Sequence, residues 1–365
     1  MKTIVRKVAL VGATALLATV GYPTSAGAVE LTCGATITQS TTLTADLGPC
    51  PDYGLHIGAN NITLNLNGFR IFGTNEPRDG AGVWMVGRSG VTVTNGTIEF
   101  FDAGVAIEGG GGNTVRNMTL QHNIGGLRSF YGDGVAILSS VNNLVTNSIM
   151  RNNGPFSGVG LYSLVDGDHP RATTGTSTGN QIIGNVVTDN VAARAGGPVT
   201  STDNDGIRVE PETHGNLISG NIVRNNGLDG IALFAGSSNN IITNNTVEGH
   251  GMYRTSVRRG NGIILFNRGT GNVVENNLVR GNADNGIVVQ GPVGANAGAT
   301  NNTIRFNLSF GNSVRPPLNP NPGGPFGGPT FDLQDRNVDC DNNVWFGNRY
   351  RTAFPACTTT GGAPI

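Results

Sequence analysis

The chain has 365 residues, of which only 13% are charged, and its 23 basic and 24 acidic residues leave a formal net charge of −1. The basic residues form no cluster, so the sequence lacks the positive patch that nucleic-acid binding requires. After the N-terminal leader no segment has 18 consecutive apolar residues, which argues against any later membrane-spanning helix.

The N-terminus has the pattern of a secretory signal. Three cations within residues 1–7 precede an apolar run over residues 8–20, and small residues at 26–28 supply a cleavage site. We therefore expect residues 1–28 to be removed and the protein to be secreted. Loss of the three cations leaves 20 basic against 24 acidic residues, a net charge of about −4.

The cysteines fall into two local pairs, one near each end of the chain. Four cysteines allow three pairings, and in an exported protein the local one, Cys33 with Cys50 and Cys340 with Cys357, is favoured. The sequence contains no Cys-x-x-Cys motif, so these residues are predicted to be structural disulfides. Each closed loop contributes roughly 3 kcal/mol in the chain-entropy model.

Short apolar segments bounded by asparagine recur along the chain. They begin with the segment at residues 60–68 and continue at intervals, with an apolar β-branched residue or leucine at their centre. Members are Asn113–Asn117, Asn142–Asn147, Asn180–Asn185, Asn216–Asn221, Asn239–Asn244, Asn272–Asn276 and Asn302–Asn307.

A second family of segments starts with glycine, often after Asp or Asn, and alternates with the first. The shortest intervals give a repeat of 22 to 24 residues, a period that indicates a solenoid. These segments start at Gly82, Gly104, Gly134, Gly158, Gly206, Gly230, Gly262 and Gly286.

Such a repeat has one favourable packing. Strands of three to five residues cannot bury an apolar face alone, but coils stacked about 4.8 Å apart pair every strand in parallel and create a continuous core. Asparagine suits the corners because it tolerates left-handed backbone and its amide can both donate and accept hydrogen bonds. We therefore predict an all-β, right-handed parallel β-helix of nine or ten coils. The predicted parts are a signal (1–28), an N-terminal cap (29–59), the β-helix (60–312) and a Pro/Gly-rich loop with a C-terminal cap (313–365).

These Asn-x-Ile/Val-x-x-Asn and Asp/Asn-Gly-Ile-x-Leu/Val patterns resemble the repeats of the pectin-lyase-like superfamily, especially secreted NosD-like proteins and carbohydrate-binding or sugar-hydrolase β-helices. The resemblance covers nearly all of residues 33–357. It implies a protein that acts on or binds polysaccharides, but the superfamily includes lyases, hydrolases, epimerases and members without known chemistry.

Strand alternation predicts which side chains point outward. If Ile207 and Val209 enter the core, Arg208 and Glu210 face out. In the same outward columns, Tyr162 precedes this pair, and Phe234 and Phe266 follow it. Aromatic rings can stack on sugars and a cation can hold a carboxylate, so we predict a glycan site here. Insertions at 163–179, 191–204 and 251–260 are expected to wall it.

A lyase or C5-epimerase acting on an acidic polysaccharide needs a cation, a base and an acid. Arg208, Tyr162 and His169 are the candidates. Tyr162, Asp168 and His169 also resemble the Tyr and Asp-Pro-His signature of mannuronan C5-epimerases, although the order here is Asp-His-Pro. The predicted catalytic residues are Arg208, Tyr162, His169, Asp168 and Glu210, and the predicted substrate-binding residues are Phe234, Phe266, Arg258 and Arg259.

Two other functions remain open. A glycoside hydrolase would use two carboxylates, and Asp166, Asp168, Asp203, Asp205, Glu210 and Glu212 are available. Asp205 occupies a repeat position that Asp229, Asn261 and Asn285 also hold, so it is predicted to be structural. A glycan-binding solenoid would use none. The five histidines have no ligand spacing, so no zinc or copper centre is predicted, whereas Ca²⁺ on acidic oxygens is possible as a cofactor. The predicted partner is a polysaccharide, and the protein is predicted to be a monomer.

Overall fold

The computed structural model divides the chain into two units, Met1–Leu31 and Thr32–Ile365. The predicted signal, residues 1–28, lies outside the described residues. The described part contains no helix long and apolar enough to cross a bilayer. The structure describes residues 31–74, 80–125, 132–163, 175–191, 204–252, 260–315 and 328–365.

One face of the second unit is a twelve-stranded sheet in which every pairing between neighbours is parallel. Its strands, in the order in which they pair, are β1 Ala35–Ile37, β4 Leu55–Ile57, β7 Ala81–Val86, β9 Ala103–Glu108, β11 Val135–Leu138, β14 Ser157–Tyr162, β17 Asp205–Val209, β20 Ile231–Leu233, β23 Ile263–Leu265, β26 Ile287–Val289, β29 Leu333–Asp335 and β32 Ala353–Phe354.

The remaining strands form the other two faces, and β8 and β10 each run through both. The second face contains β2 Thr41–Thr42, β5 Thr63–Asn65, β8 Thr92–Glu99, β10 Thr114–Gln121, β12 Leu144–Thr146, β15 Gln181–Ile183, β18 Leu217–Ser219, β21 Ile241–Thr243, β24 Val273–Glu275, β27 Thr303–Arg305 and β30 Val344–Phe346. The third contains β3 Leu47–Cys50, β6 Arg70–Gly73, β13 Ile149–Arg151, β16 Val186–Thr188, β19 Ile222–Arg224, β22 Thr246–Glu248, β25 Leu278–Arg280, β28 Leu308–Phe310, β31 Arg349–Tyr350 and β33 Ala363–Pro364. Short 3₁₀ helices span Val338–Cys340 and Ala356–Thr359.

This is the predicted all-β parallel β-helix. Every face sends fully buried apolar side chains inward, as Ile207 and Val209 on the first face and Ile218 and Val223 on the other two show for one coil. Among the described residues the first face alone has twelve strands, so the predicted count of nine or ten coils is not confirmed. Strands β1, β4, β29 and β32 continue the ladder into the segments assigned to caps, whose boundaries stay a prediction.

Each corner has two adjacent positions: one adopts left-handed backbone, and the next carries the asparagine amide that hydrogen-bonds to neighbouring coils. The first corner residue has left-handed backbone and is most often Gly or Asn, as at Gly220 (φ 65°) and Asn244 (φ 56°), although Phe306 (φ 55°) also takes this place. The second is a buried Asn whose amide links coils. Asn221 Nδ2 donates to Asn245 Oδ1 (3.0 Å), and Asn221 Oδ1 accepts from the backbone N–H of Asn185 (2.9 Å). The predicted asparagine ladder is therefore confirmed, one residue beyond each left-handed turn.

A second asparagine ladder includes Asn190, Asn226 and Asn282, and His250 takes the place of an asparagine between Asn226 and Asn282. Its Nδ1 accepts from the backbone N–H of Asn226 (3.2 Å), and its Nε2 lies 3.1 Å from the carbonyl oxygen of Val223. Because Nδ1 accepts, the ring is neutral with its proton on Nε2. Burial lowers the pKa of His250 from 6.5 to about 3.

Both predicted disulfides are present, Cys33–Cys50 and Cys340–Cys357. Near the second one, Trp345 lies in the inward column of β27 and β30 and donates its indole N–H to Asp335 Oδ2 (2.8 Å). The bridges therefore lie near the two ends of the solenoid, as the local pairing predicts.

Candidate functional site

The outer side of the twelve-stranded sheet carries the predicted columns. Ile207 and Val209 are fully buried in the core, and Arg208 between them pairs in register with Gly160 on β14 and Ala232 on β20. The prediction did not anticipate that the middle of this outer side is itself buried. Two apolar clusters occupy it, one of Ala81, Ala103, Ala106, Ala136, Leu138 and Tyr162, the other of Ala232, Ile264, Phe266 and Val288.

Arg208 lies between the two apolar clusters and is almost fully buried. Its Nη1 is 3.0 Å from Asp205 Oδ2, and its Nε donates to Glu210 Oε1. Two carboxylates thus satisfy the guanidinium, as a buried charge requires. The charged pair of Arg208 with Glu210 is present, and the catalytic role of Arg208 as a cation for a substrate carboxylate stays a prediction.

Aromatic rings enclose the same guanidinium. Its central carbon lies 3.9 Å from the ring centroid of Phe234 and 4.8 Å from that of Phe156. Phe234 in turn stacks on Phe266, with centroids 4.6 Å apart and planes 13° from parallel. Arg208 and Phe234 therefore do share one wall as predicted, but the rings pack on protein groups, and sugar stacking on them stays a prediction.

Asp133 is the central residue that sequence reasoning missed. It precedes β11, is fully buried, and accepts hydrogen bonds from the hydroxyls of Ser157 and Tyr162, each at 2.5 Å. Burial raises the pKa of Asp133 from 3.8 to about 7, against the opposing effects of these two hydrogen bonds and of the Arg208 charge. Burial also raises the pKa of Tyr162 well above its usual 10.0, and the neighbouring Asp133 carboxyl adds to that shift.

Gly160 explains how Tyr162 reaches Asp133. A Cβ at position 160 would overlap the Tyr162 ring and its hydroxyl, so the ring lies directly over the glycine. The absence of a side chain at this position lets the phenol fold back along β14 towards Asp133. The signal in the sequence was a glycine in an outward column whose neighbours are Ala136 and Arg208.

Asp205 has two roles, one of which was predicted. Its Oδ1 accepts from the backbone N–H of Asp229 (3.0 Å), and Asp229 Oδ1 accepts from the amide of Asn261 (3.0 Å), which continues the ladder. The structural assignment of this repeat position is confirmed. The second oxygen of Asp205 instead holds Arg208, so the ladder also positions the charged cluster.

The other predicted site residues lie outside the described residues. These are His169, Asp168, Arg258 and Arg259, together with most of the three insertions expected to wall a cleft. Among the residues that are described, no group of three or more His, Cys, Asp or Glu side chains has the arrangement of a metal site. Calcium binding therefore stays a prediction.

A model of the right handed beta helix region family matches residues 32–251 and 198–316 of the chain. The chain belongs to this family. No curated protein sequence matches this chain. The right-handed β-helix fold that the resemblance predicted is also found in solved structures of low sequence identity.

Three solved β-helix proteins show the extent of that similarity. The Dettilon tailspike protein is 17% identical (TM-score 0.52, 87% of this chain and 54% of that chain). A mutant tailspike protein of E. coli bacteriophage HK620, in complex with a pentasaccharide, is 11% identical (TM-score 0.55, 91% and 58%). XylC in complex with xylose is 13% identical (TM-score 0.53, 86% and 54%). The chain thus spans little more than half the length of each, and the similarity establishes the fold.

Proposed function

We propose that this β-helix protein is a secreted glycoside hydrolase whose reacting groups are Asp133 and Glu210. The observation that supports this function is the enclosure of Asp133 beside an arginine-paired carboxylate. A glycosidase needs one carboxyl group that keeps its proton and one that is ionised, and contrasting environments provide that difference. Burial raises the pKa of Asp133 to about 7, whereas Glu210 is bound to the guanidinium of Arg208.

The assignment of acid and base follows from the contacts. Asp133 donates its proton to the glycosidic oxygen of the leaving sugar. Glu210 accepts a proton from water as the water oxygen attacks the anomeric carbon. Glu210 is chosen over Asp205 because its side chain is 10% exposed, whereas that of Asp205 is fully buried and tied to the ladder. Since Asp133 is also fully buried, a bound glycan must open the outer side of the sheet above it.

The two carboxyl groups come from strands that lie close together in the sheet. Asp133 precedes β11 and Glu210 follows β17, and β14 alone separates these strands. On β14, the hydroxyl of Tyr162 hydrogen-bonds Asp133, and on β17, Arg208 binds Glu210. Inverting glycosidases hold their carboxyl groups roughly 6.5–9.5 Å apart and retaining ones about 5–5.5 Å apart, so the anomeric configuration of the released sugar reports their separation in the complex.

The lyase or epimerase predicted from the sequence is less well supported by these contacts. A base must lose its proton readily, but burial raises the pKa of Tyr162 well above 10. A cation that binds a uronate must have charge to spare, but Arg208 is paired with both Asp205 and Glu210. A glycan-binding solenoid without catalysis remains the alternative if no polysaccharide is cleaved.

The test is release of reducing ends from a panel of neutral and acidic polysaccharides, with absorbance near 235 nm read in parallel. We expect reducing sugar without unsaturated product, and at least a hundredfold loss of rate in Asp133→Asn. The exposed carboxylate Asp341 provides a matched control, and Asp341→Asn should keep full activity. Unsaturated product would establish a lyase, and binding without any turnover would establish a binding protein; either outcome refutes the hydrolase.

A further inference from the structure

A second group of aromatic and charged side chains lies at the N-terminal end of the same outer side. Thr36, His56 and Trp84 pair in register on β1, β4 and β7, so they form one outward column. With Val86 and Arg88 they line a cavity of about 380 Å³. That volume is at the lower end of the range of roughly 300–1,000 Å³ for ligand pockets.

The aromatic part of this cavity is held in place by its neighbours. Trp84 stacks on Tyr53, with ring centroids 5.0 Å apart and planes 21° from parallel, and meets the edge of His56 at 5.2 Å. Its indole N–H donates to Glu108 Oε2 (3.2 Å). The Trp84 indole is thus fixed in orientation before any ligand binds, which lowers the entropic cost of binding.

Arg88 supplies a charge for which the described residues offer no partner. Its Nε–H is buried and donates to no acceptor among the described residues, although a buried guanidinium N–H ordinarily has an acceptor. The backbone of Arg88 is fixed, since its carbonyl oxygen accepts from Asn113 Nδ2 (2.9 Å) and from the N–H of Gly111 (3.2 Å). A half-buried cation on a fixed backbone, with an unsatisfied donor, suits an anionic ligand.

We propose that this cavity is a binding subsite for an acidic sugar, with the ring of the sugar on Trp84 and its carboxylate on Arg88. Val86, which is 43% exposed, provides apolar contact at the rim. The proposal rests on the proposed function only for the class of ligand, a glycan that lies along the outer side of the sheet. Trp84 also packs against the apolar cluster that contains Tyr162, so one chain can pass from this cavity to Asp133.

Calorimetric titration of the mature protein carrying Asp133→Asn tests the subsite without turnover. The probes are tetragalacturonate and tetramannuronate, with cellotetraose as the neutral control. We expect one or both acidic tetrasaccharides to bind at least tenfold more tightly than cellotetraose. Arg88→Gln should weaken that binding at least tenfold, whereas Arg116→Gln, which alters an exposed arginine on another face, should not change it.

A second readout locates the ligand. The chain has only two tryptophans, and Trp345 is buried in the core at the far end. Ligand-induced change in tryptophan fluorescence should therefore disappear in Trp84→Phe. Equal affinities of the Arg88→Gln and parent proteins, or no binding of either acidic probe, overturn the subsite. These outcomes are separable from a failure of the hydrolase, which is read from Asp133 and turnover.

Discussion

The protonation of Asp133 makes a quantitative prediction about stability. Its pKa is raised on folding from 3.8 to about 7, so the stabilisation it provides is fully present below pH 3.8 and is lost as the pH rises through 7. At about 1.36 kcal/mol per pH unit, this group alone destabilises the fold by roughly 3 kcal/mol between pH 5 and pH 8. In Asp133→Asn, whose amide resembles the protonated acid, this loss should be absent.

His250 has the opposite effect in the same protein. Its pKa falls on folding from 6.5 to about 3, so its contribution is present above pH 6.5 and is lost as the pH falls towards 3. Between pH 5 and pH 8 it adds about 2 kcal/mol of stability. The two groups therefore nearly cancel in the unmodified protein, and only the variants reveal either one.

The assay is urea unfolding of the parent, Asp133→Asn and His250→Asn at pH 5 and pH 8. Subtracting the free energy of unfolding of the parent from that of each variant at the same pH cancels the contributions of all other titrating groups. The stability of Asp133→Asn relative to the parent should rise by roughly 3 kcal/mol from pH 5 to pH 8. That of His250→Asn should fall by about 2 kcal/mol. A change within about 0.5 kcal/mol of zero for Asp133→Asn would show that the carboxyl is already ionised in the folded protein, and the general-acid assignment would then be lost.

Three further changes have defined outcomes. Gly160→Ala should displace Tyr162 from Asp133, lowering activity at least tenfold; a crystal structure with the phenol in place would contradict this. Asn221→Ala leaves several buried ladder groups unpaired and should cost about 3–5 kcal/mol in urea unfolding, so a loss below about 1 kcal/mol would show that the ladder contributes little. Reduction of the Cys340–Cys357 bridge should lower stability by roughly 3 kcal/mol, measured against the oxidised protein at equal pH, and an unchanged midpoint would contradict the chain-entropy argument.

The repeat by itself determined the fold, because each local signal refers to a fixed position in one coil. Glycine and asparagine at a left-handed corner, as at Gly220 and Asn221, specify where the chain turns. Alternation along a short strand specifies that Ile207 enters the core and Arg208 does not. Two cysteines 17 residues apart at each end specify the bridges. All of these depend on near neighbours in the sequence.

Only the tertiary structure decided which outward residues form a site. Asp133 looks in the sequence like any other acidic residue before a repeat glycine, and its pKa depends on burial by groups from other coils. The orientation of the Tyr162 ring depends on the empty space at Gly160. Arg208 can pair with Asp205 because the ladder uses only one of the two Asp205 carboxylate oxygens. The reason is physical: the repeat places side chains of different coils about 4.8 Å apart, and desolvation and charge pairing act across that distance rather than along the chain.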